Sequence, residues 1–239
     1  MELLLTGVLV FVASTVGTVT GFGISTIMIP VMVLFYPAEM VLLFVGIIHW
    51  FGDLWKLILF RRGIRVKLIL LFGVTGIVMS FIGARLVFSV SEGVLSRVLG
   101  GFLIGYVVFL FFKPDFKLKE NNFTALAGGA SSGFMAGFFG IGGAVRSMFL
   151  SAFDLEKSAY IATAGAIAIV IDTTRIGTYL FAGSRLEAGL MWSLVLFVGI
   201  SFLGAKLAKK MVNRVEQRYF RGVIAVGLML VGIKLLITG

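Results

Sequence analysis

An all-α polytopic membrane protein, organised as two inverted four-segment repeats that each open with a glycine-broken helical hairpin, is the fold class this sequence predicts. Three observations carry it: long apolar runs almost free of charge, a glycine interruption in the first run of each half, and basic loops that change places between the halves. Apolar residues make up 59% of the chain and charged residues only 13%, against roughly 45–50% and about 25% in soluble domains. The runs approach the ~20 residues that cross about 30 Å of hydrocarbon, and they are continuously apolar, unlike the alternating strands of a membrane barrel.

The first run extends from Glu2 to Tyr36 and is interrupted at TGFGIST, Thr20 to Thr26. It is too long for one ordinary crossing, so a hairpin of two helices is expected, either re-entrant or crossing twice. It starts without a basic leader region or a small-residue cleavage site and is read as retained. Ala38 to Phe60, Leu68 to Val90 and Gly93 to Phe112 complete a first repeat, residues 1–112. KPDFKLKENN, residues 113–122, is read as a cytoplasmic linker. The second repeat, residues 123–239, opens with Phe123 to Phe153, broken at GFFGIGGAVRS, Gly137 to Ser147. It continues through Ser158 to Gly183, Leu186 to Ala208 and Gln217 to Ile237.

Duplication shows in the spacing. Gly21, Gly23, Asp53 and Lys56 recur at one constant offset as Gly140, Gly142, Asp172 and Arg175, and Gly83-Ala84-Arg85 returns slightly shifted as Gly204-Ala205-Lys206. The charges then set orientation, because cytoplasmic loops carry the Lys/Arg excess. Arg61 to Lys67 is strongly basic and the following loop around FSVSEG is poor in cations, whereas in the second half the loop near Arg185 is poor and Lys206 to Arg221 is rich. Opposite bias in matching loops means opposite topology. Each half then crosses an odd number of times, the linker falls inside, and both termini lie outside the cell inner (plasma) membrane.

Several function classes are set aside by composition. The net charge of +10 would suit nucleic acid, but the cations sit in short loops where they act as orientation signals, so no nucleic-acid partner is expected. The absence of cysteine and the single histidine remove disulfides, iron–sulfur clusters and most zinc sites, so neither metal nor cofactor is expected. No phosphate-binding G-x-x-x-x-G-K-[ST] loop occurs, leaving gradients as the energy source. GASSG, Gly129 to Gly133, formally matches a hydrolase nucleophile elbow, but that motif needs a preceding strand and this one lies in an apolar helix. An intramembrane hydrolase using Ser131 or Ser132 with His49 is therefore the enzyme alternative, and no enzyme activity is expected.

The glycine breaks are the candidate site. Interrupted helices at matching positions of inverted repeats point to a transport site near the midplane. A helix restarting after such a break presents free N–H groups and the positive end of its dipole, which suit an anion. Gly21, Gly23, Gly140, Gly142 and Gly143 would let the ligand approach the backbone, Arg146 would be its main side-chain partner, and Ser25, Thr26 and Ser147 would donate hydroxyls. Gly129, Gly133 and Gly137, four apart, are read as helix-packing glycines.

Ionisable residues deep in membrane segments are functional by default. His49, Asp53 and Lys56 share a helix face, and Asp172 with Arg175 repeats the i,i+3 pair. They are read as coupling groups or as structural ion pairs, with His49 either a proton relay or an interfacial side chain beside Trp50. A proton or another ion could drive transport. A passive anion channel and a membrane scaffold without transport are the competing readings, and a homo-oligomer is compatible with all of them.

The two glycine-rich motifs, GFGISTIMIP with Pro30 in the first half and GFFGIGGAVRS in the second, on a duplicated four-segment plan, resemble the sulfite exporter TauE/SafE family, also called toluene sulfonate uptake permeases. The resemblance implies a carrier of sulfite, of sulfonates such as sulfoacetate, or of related organic anions. Ile24 stands where the family pattern suggests glycine and Phe149 where it suggests proline, so unequal half-sites are expected.

Overall fold

The structure is a computed structural model describing residues 2–112, 118–186, 188–214 and 217–238. Lys113 and Lys117 of the expected linker, and the side chains of Glu2 and Arg218, lie outside the described residues. The chain is all-helical where described: α1 Glu2–Thr20, α2 Ser25–Met32, α3 Ala38–Leu59, α4 Val66–Val87, α5 Glu92–Phe112, α6 Asn122–Phe139, α7 Gly142–Leu150, α8 Lys157–Phe181, α9 Ala188–Met211 and α10 Gln217–Thr238. Among the described residues, six helices are long and apolar enough to cross a membrane, namely α1, α3, α4, α5, α8 and α9. This is a multi-pass membrane protein.

Each glycine-broken run becomes two helices that fold back on one another. Gly17 of α1 packs against Gly23 and Ile24 just past the break, while Met32 and Tyr36 return to the cavity lined by Leu3 and Thr6. Similarly, Gly142 opens α7 beside Ser132 and Ala136, and Phe149 near its end reaches back to Gly128. Both hairpins therefore enter and leave at one end. Asn121 caps the second hairpin, its side chain accepting the Thr124 amide at 2.7 Å and so satisfying a free helix-end donor.

Close backbone approach holds the hairpins to their neighbours. Cβ atoms on Gly129, Gly133 and Gly137 would overlap backbone or hydroxyl atoms of α4 at Phe72, Thr75, Gly76 and Ser80, so these glycines serve packing, as their spacing predicts. On the other side α1 runs parallel to α9, with Gly204 against Phe11, Ser14 and Thr15. Replacing Gly137 by Ala should lower unfolding stability by about 1–3 kcal/mol through forced separation of α4 and α6. Gly105→Ala, with open space around it inside α5, should leave the thermal unfolding midpoint unchanged or raise it slightly, since alanine is the better helix former.

Helices α3 and α8 form the interior, lying antiparallel with Gly46 beside Arg175 and Gly165 beside Asp53 and Lys56. Outer helices instead show apolar side chains outward, among them Leu70, Phe81, Trp192, Val195 and Leu230, as contact with lipid tails requires.

Candidate anion site at the helix breaks

The breaks are formed by backbone that other residues adopt only with strain. Gly21 and Gly23 have φ of +78° and +81°, and Gly140 has +72°, left-handed values open to glycine. The Gly23 amide donates to the Gly17 carbonyl at 3.1 Å, and the Gly140 amide to the Ala136 carbonyl at 2.9 Å, so the turns close on their own helices. The equivalence between halves is incomplete: Gly142, which matches Gly23 in sequence, is already the first residue of α7.

The two breaks meet in the middle of the molecule. A Cβ on Gly143 would overlap the Phe22 carbonyl oxygen and lie 3.3 Å from Thr26 Oγ1. One on Gly21 would lie 2.6 Å from the Tyr160 ring, one on Gly23 would overlap His49 Nε2, and one on Gly140 would lie 3.1 Å from Arg175 Nη1. Glycine at these points thus brings the backbone of both hairpins against His49, Tyr160 and Arg175. Ile24 fills the notch left by Gly52.

A buried ion network spans α3 and α8 beside this junction. Lys56 Nζ donates to Asp53 Oδ1 at 2.6 Å, and Arg175 Nε donates to Asp172 Oδ1 at 2.7 Å. His49 joins the two pairs: its Nδ1 lies 2.5 Å from Asp172 Oδ2 and 3.2 Å from Asp53 Oδ2. An ionised carboxylate only accepts, so Nδ1 carries the proton it gives to Asp172. All five residues are buried. His49 is therefore no interfacial side chain; Trp50 takes the outward position and donates Nε1–H to Thr173 Oγ1 at 2.9 Å. His49, Asp53 and Asp172 offer three ligand atoms within 4.8 Å of one another, but Lys56 and Arg175 already balance both carboxylates, so the group is an ion network in chemistry as well as in geometry.

Most of the buried polar atoms that lack a hydrogen bond belong to the elements that meet at this junction. They include Ser14 Oγ and Thr18 Oγ1 of α1, Ser25 Oγ of α2, His49 Nε2, Asp53 Oδ2, Arg146 Nε and both terminal nitrogens of Arg175. Buried polar groups are nearly always satisfied in folded proteins, and orphaned ones call for a ligand or a function. Arg146 stands out. It is 2% exposed and makes no ion pair among the described residues, whereas Lys56 and Arg175 each have an aspartate.

Of the hydroxyls read as ligand donors, Ser25 is free, but Thr26 donates to the Phe22 carbonyl at 2.7 Å and Ser147 to the Ala144 carbonyl at 2.8 Å. Each retains a lone pair and would have to rotate to donate to an anion. Ser132, the candidate nucleophile, is buried within α6 and turned toward the Gly129 carbonyl at 3.4 Å, with no strand before it. Sequence reasoning missed Tyr160, whose ring sits under Gly21 and whose hydroxyl reaches the Ser147 carbonyl at 3.4 Å. It also missed Tyr179, which donates to the Gly137 carbonyl at 2.5 Å. Both lie on α8, and no motif marks them.

Comparison with known families gives one assignment: the model described as sulfite exporter TauE/SafE matches residues 6–235. No curated protein matches the chain significantly.

Proposed function

The chain belongs to the sulfite exporter TauE/SafE family, a family of membrane transporters, and from that membership we propose that it carries a small sulfur-containing or carboxylated anion, such as sulfite or a sulfonate, bound between its two helix breaks. The observation that carries this reading is Arg146, a buried guanidinium beside the second break whose Nε has no hydrogen-bond partner and which makes no ion pair among the described residues. An uncompensated buried cation costs several kcal/mol, and an anion seated against it would offset that cost. Ser25, the terminal nitrogens of Arg175 and the backbone at Gly21, Gly23, Gly140, Gly142 and Gly143 would complete the cradle.

Transport would proceed by alternating access between inverted repeats, residues 1–112 and 123–239. Supporting this, α1 packs on α9 as α6 packs on α4, and α3 pairs with α8 across the centre, an exchange that a two-fold relation between halves requires. The hairpin α1/α2 opens toward the start of α3, and α6/α7 opens toward the start of α8, at opposite ends of the α3–α8 pair. A cavity of about 390 Å³ at the basic end is lined by Arg61, Arg62 and Lys209 and would gather anions at the cytoplasmic mouth. A second, of about 250 Å³ and lined by Leu3, Tyr36 and Phe197, lies at the other end. The setting would be the inner or plasma membrane.

The test is counterflow in vesicles containing the purified protein. Vesicles preloaded with sulfite or sulfoacetate should take up labelled anion transiently above equilibrium, with saturable dependence on outside concentration. Uptake that rises linearly and never exceeds equilibrium would mean a channel, and no anion flux would remove transport from the reading.

A further inference from the structure

We propose that His49 Nε2 is a proton site of the transport cycle, taking up one proton as the anion binds between the hairpins. This rests on the anion-site reading above and adds the coupling ion to it. The imidazole is 2% exposed, its Nε2 has no hydrogen-bond partner, and a Cβ placed on Gly23 would overlap that atom. Nε2 is thus aimed at the first break from within the buried network.

The charges facing His49 decide what the proton does. From its own helix come Asp53 and Lys56, and from α8 come Asp172 and Arg175. Helix α8 also brings the Tyr160 hydroxyl against Gly21 and Tyr179 beside Arg175, α2 offers no titratable side chain, and α7 carries the buried Arg146. The two aspartates and their two cations cancel, so the network is neutral when the imidazole is neutral and carries one positive charge when Nε2 is protonated. Neutral Nε2 presents a lone pair to an incoming anion; protonated Nε2 presents a donor. Anion and proton therefore favour one another's binding, and by linkage each raises the other's affinity by the same factor. Histidine is the side chain suited to this exchange near neutral pH.

Nδ1 makes the site mechanical as well as electrostatic. It ties Asp172 of the second half to a residue of the first, so a charge change at Nε2 acts on the contact between α3 and α8 that alternating access would have to rearrange.

The chain contains one histidine, so protein labelled with nitrogen-15 histidine gives a single imidazole to watch. The experiment titrates sodium ethanesulfonate, whose charge is constant, and sodium sulfite into the full-length protein in detergent from pH 6 to 8.5. Imidazole resonances are recorded together with heats in buffers of different ionisation enthalpy. Wild type should convert Nε2 from unprotonated to protonated on anion addition at the alkaline end. It should take up close to one proton more per bound anion than His49→Gln, and its affinity should fall by up to about tenfold per pH unit as pH rises. His49→Gln keeps a donor for Asp172 and should bind ethanesulfonate without that slope. Anion binding with no change at Nε2 and no excess proton uptake would overturn the proton site while leaving the anion site standing. Failure of both anions to bind the folded protein would overturn the anion-site reading and this inference with it.

Discussion

Replacing Arg146 with Met should weaken anion binding by about 100-fold or more, equivalent to about 2.7 kcal/mol, while leaving the unfolding midpoint unchanged or raised. No carboxylate among the described residues pairs with this guanidinium. Arg146 is fully interior with an orphaned Nε, so folding without ligand leaves its charge uncompensated, and exchanging it for an apolar side chain of similar volume removes that cost. Hydrogen bonds to charged groups contribute about 1.5–3 kcal/mol each, and a planar guanidinium would make two to a sulfonate or carboxylate. Binding and stability should therefore move in opposite directions, measured by isothermal titration and thermal unfolding of the same preparation. A scaffold without a ligand predicts no change in binding because there is none to lose.

Asp172→Ala should have the opposite signature, destabilising the protein by about 3–5 kcal/mol. Asp172 holds Arg175 Nε at 2.7 Å and His49 Nδ1 at 2.5 Å, so its removal strands a buried guanidinium and breaks the link between α3 and α8. The partner substitution separates this from a cavity effect. Adding Arg175→Met to Asp172→Ala removes the stranded charge and should restore a substantial part of the loss, because deleting both members of a buried pair is far cheaper than deleting one. Denaturation of the two variants in mild detergent measures the difference. Equal instability would mean that lost packing volume, not the orphaned charge, dominates.

The sequence made the glycine breaks legible because glycine pairs recur at matching positions in runs otherwise suited to helix, and Gly21, Gly23 and Gly140 do take left-handed backbone. The pairs Asp53–Lys56 and Asp172–Arg175 were legible for a similar reason: i,i+3 spacing on a helix puts both side chains on one face. The bridge through His49 was not. It joins residues far apart in the chain, and which face of α3 meets which face of α8 follows from Gly46 and Gly165 allowing close approach, a matter of tertiary packing. Arg146 was legible as a cation beside a break, but its lack of an ion pair among the described residues is a property of the assembled neighbourhood. The crowding at Gly143, where the second hairpin presses on the Phe22 carbonyl, likewise depends on two segments meeting. Tyr160 carried no signal, since a tyrosine near a helix start is ordinary until the backbone of Gly21 is placed over its ring.

An anion seated between the hairpin breaks would shield the side chains that line them, and the chain's lack of cysteine permits a direct measurement of that protection. Ser25→Cys puts one thiol at the first break, where the native hydroxyl is buried and without a partner. The rate at which a small charged thiol reagent modifies it is measured with and without saturating sulfonate. Slower modification in the presence of the anion, and not in the presence of an equal concentration of chloride, is the predicted result. Modification at the same rate with and without sulfonate, in protein shown to bind it, would place the anion elsewhere.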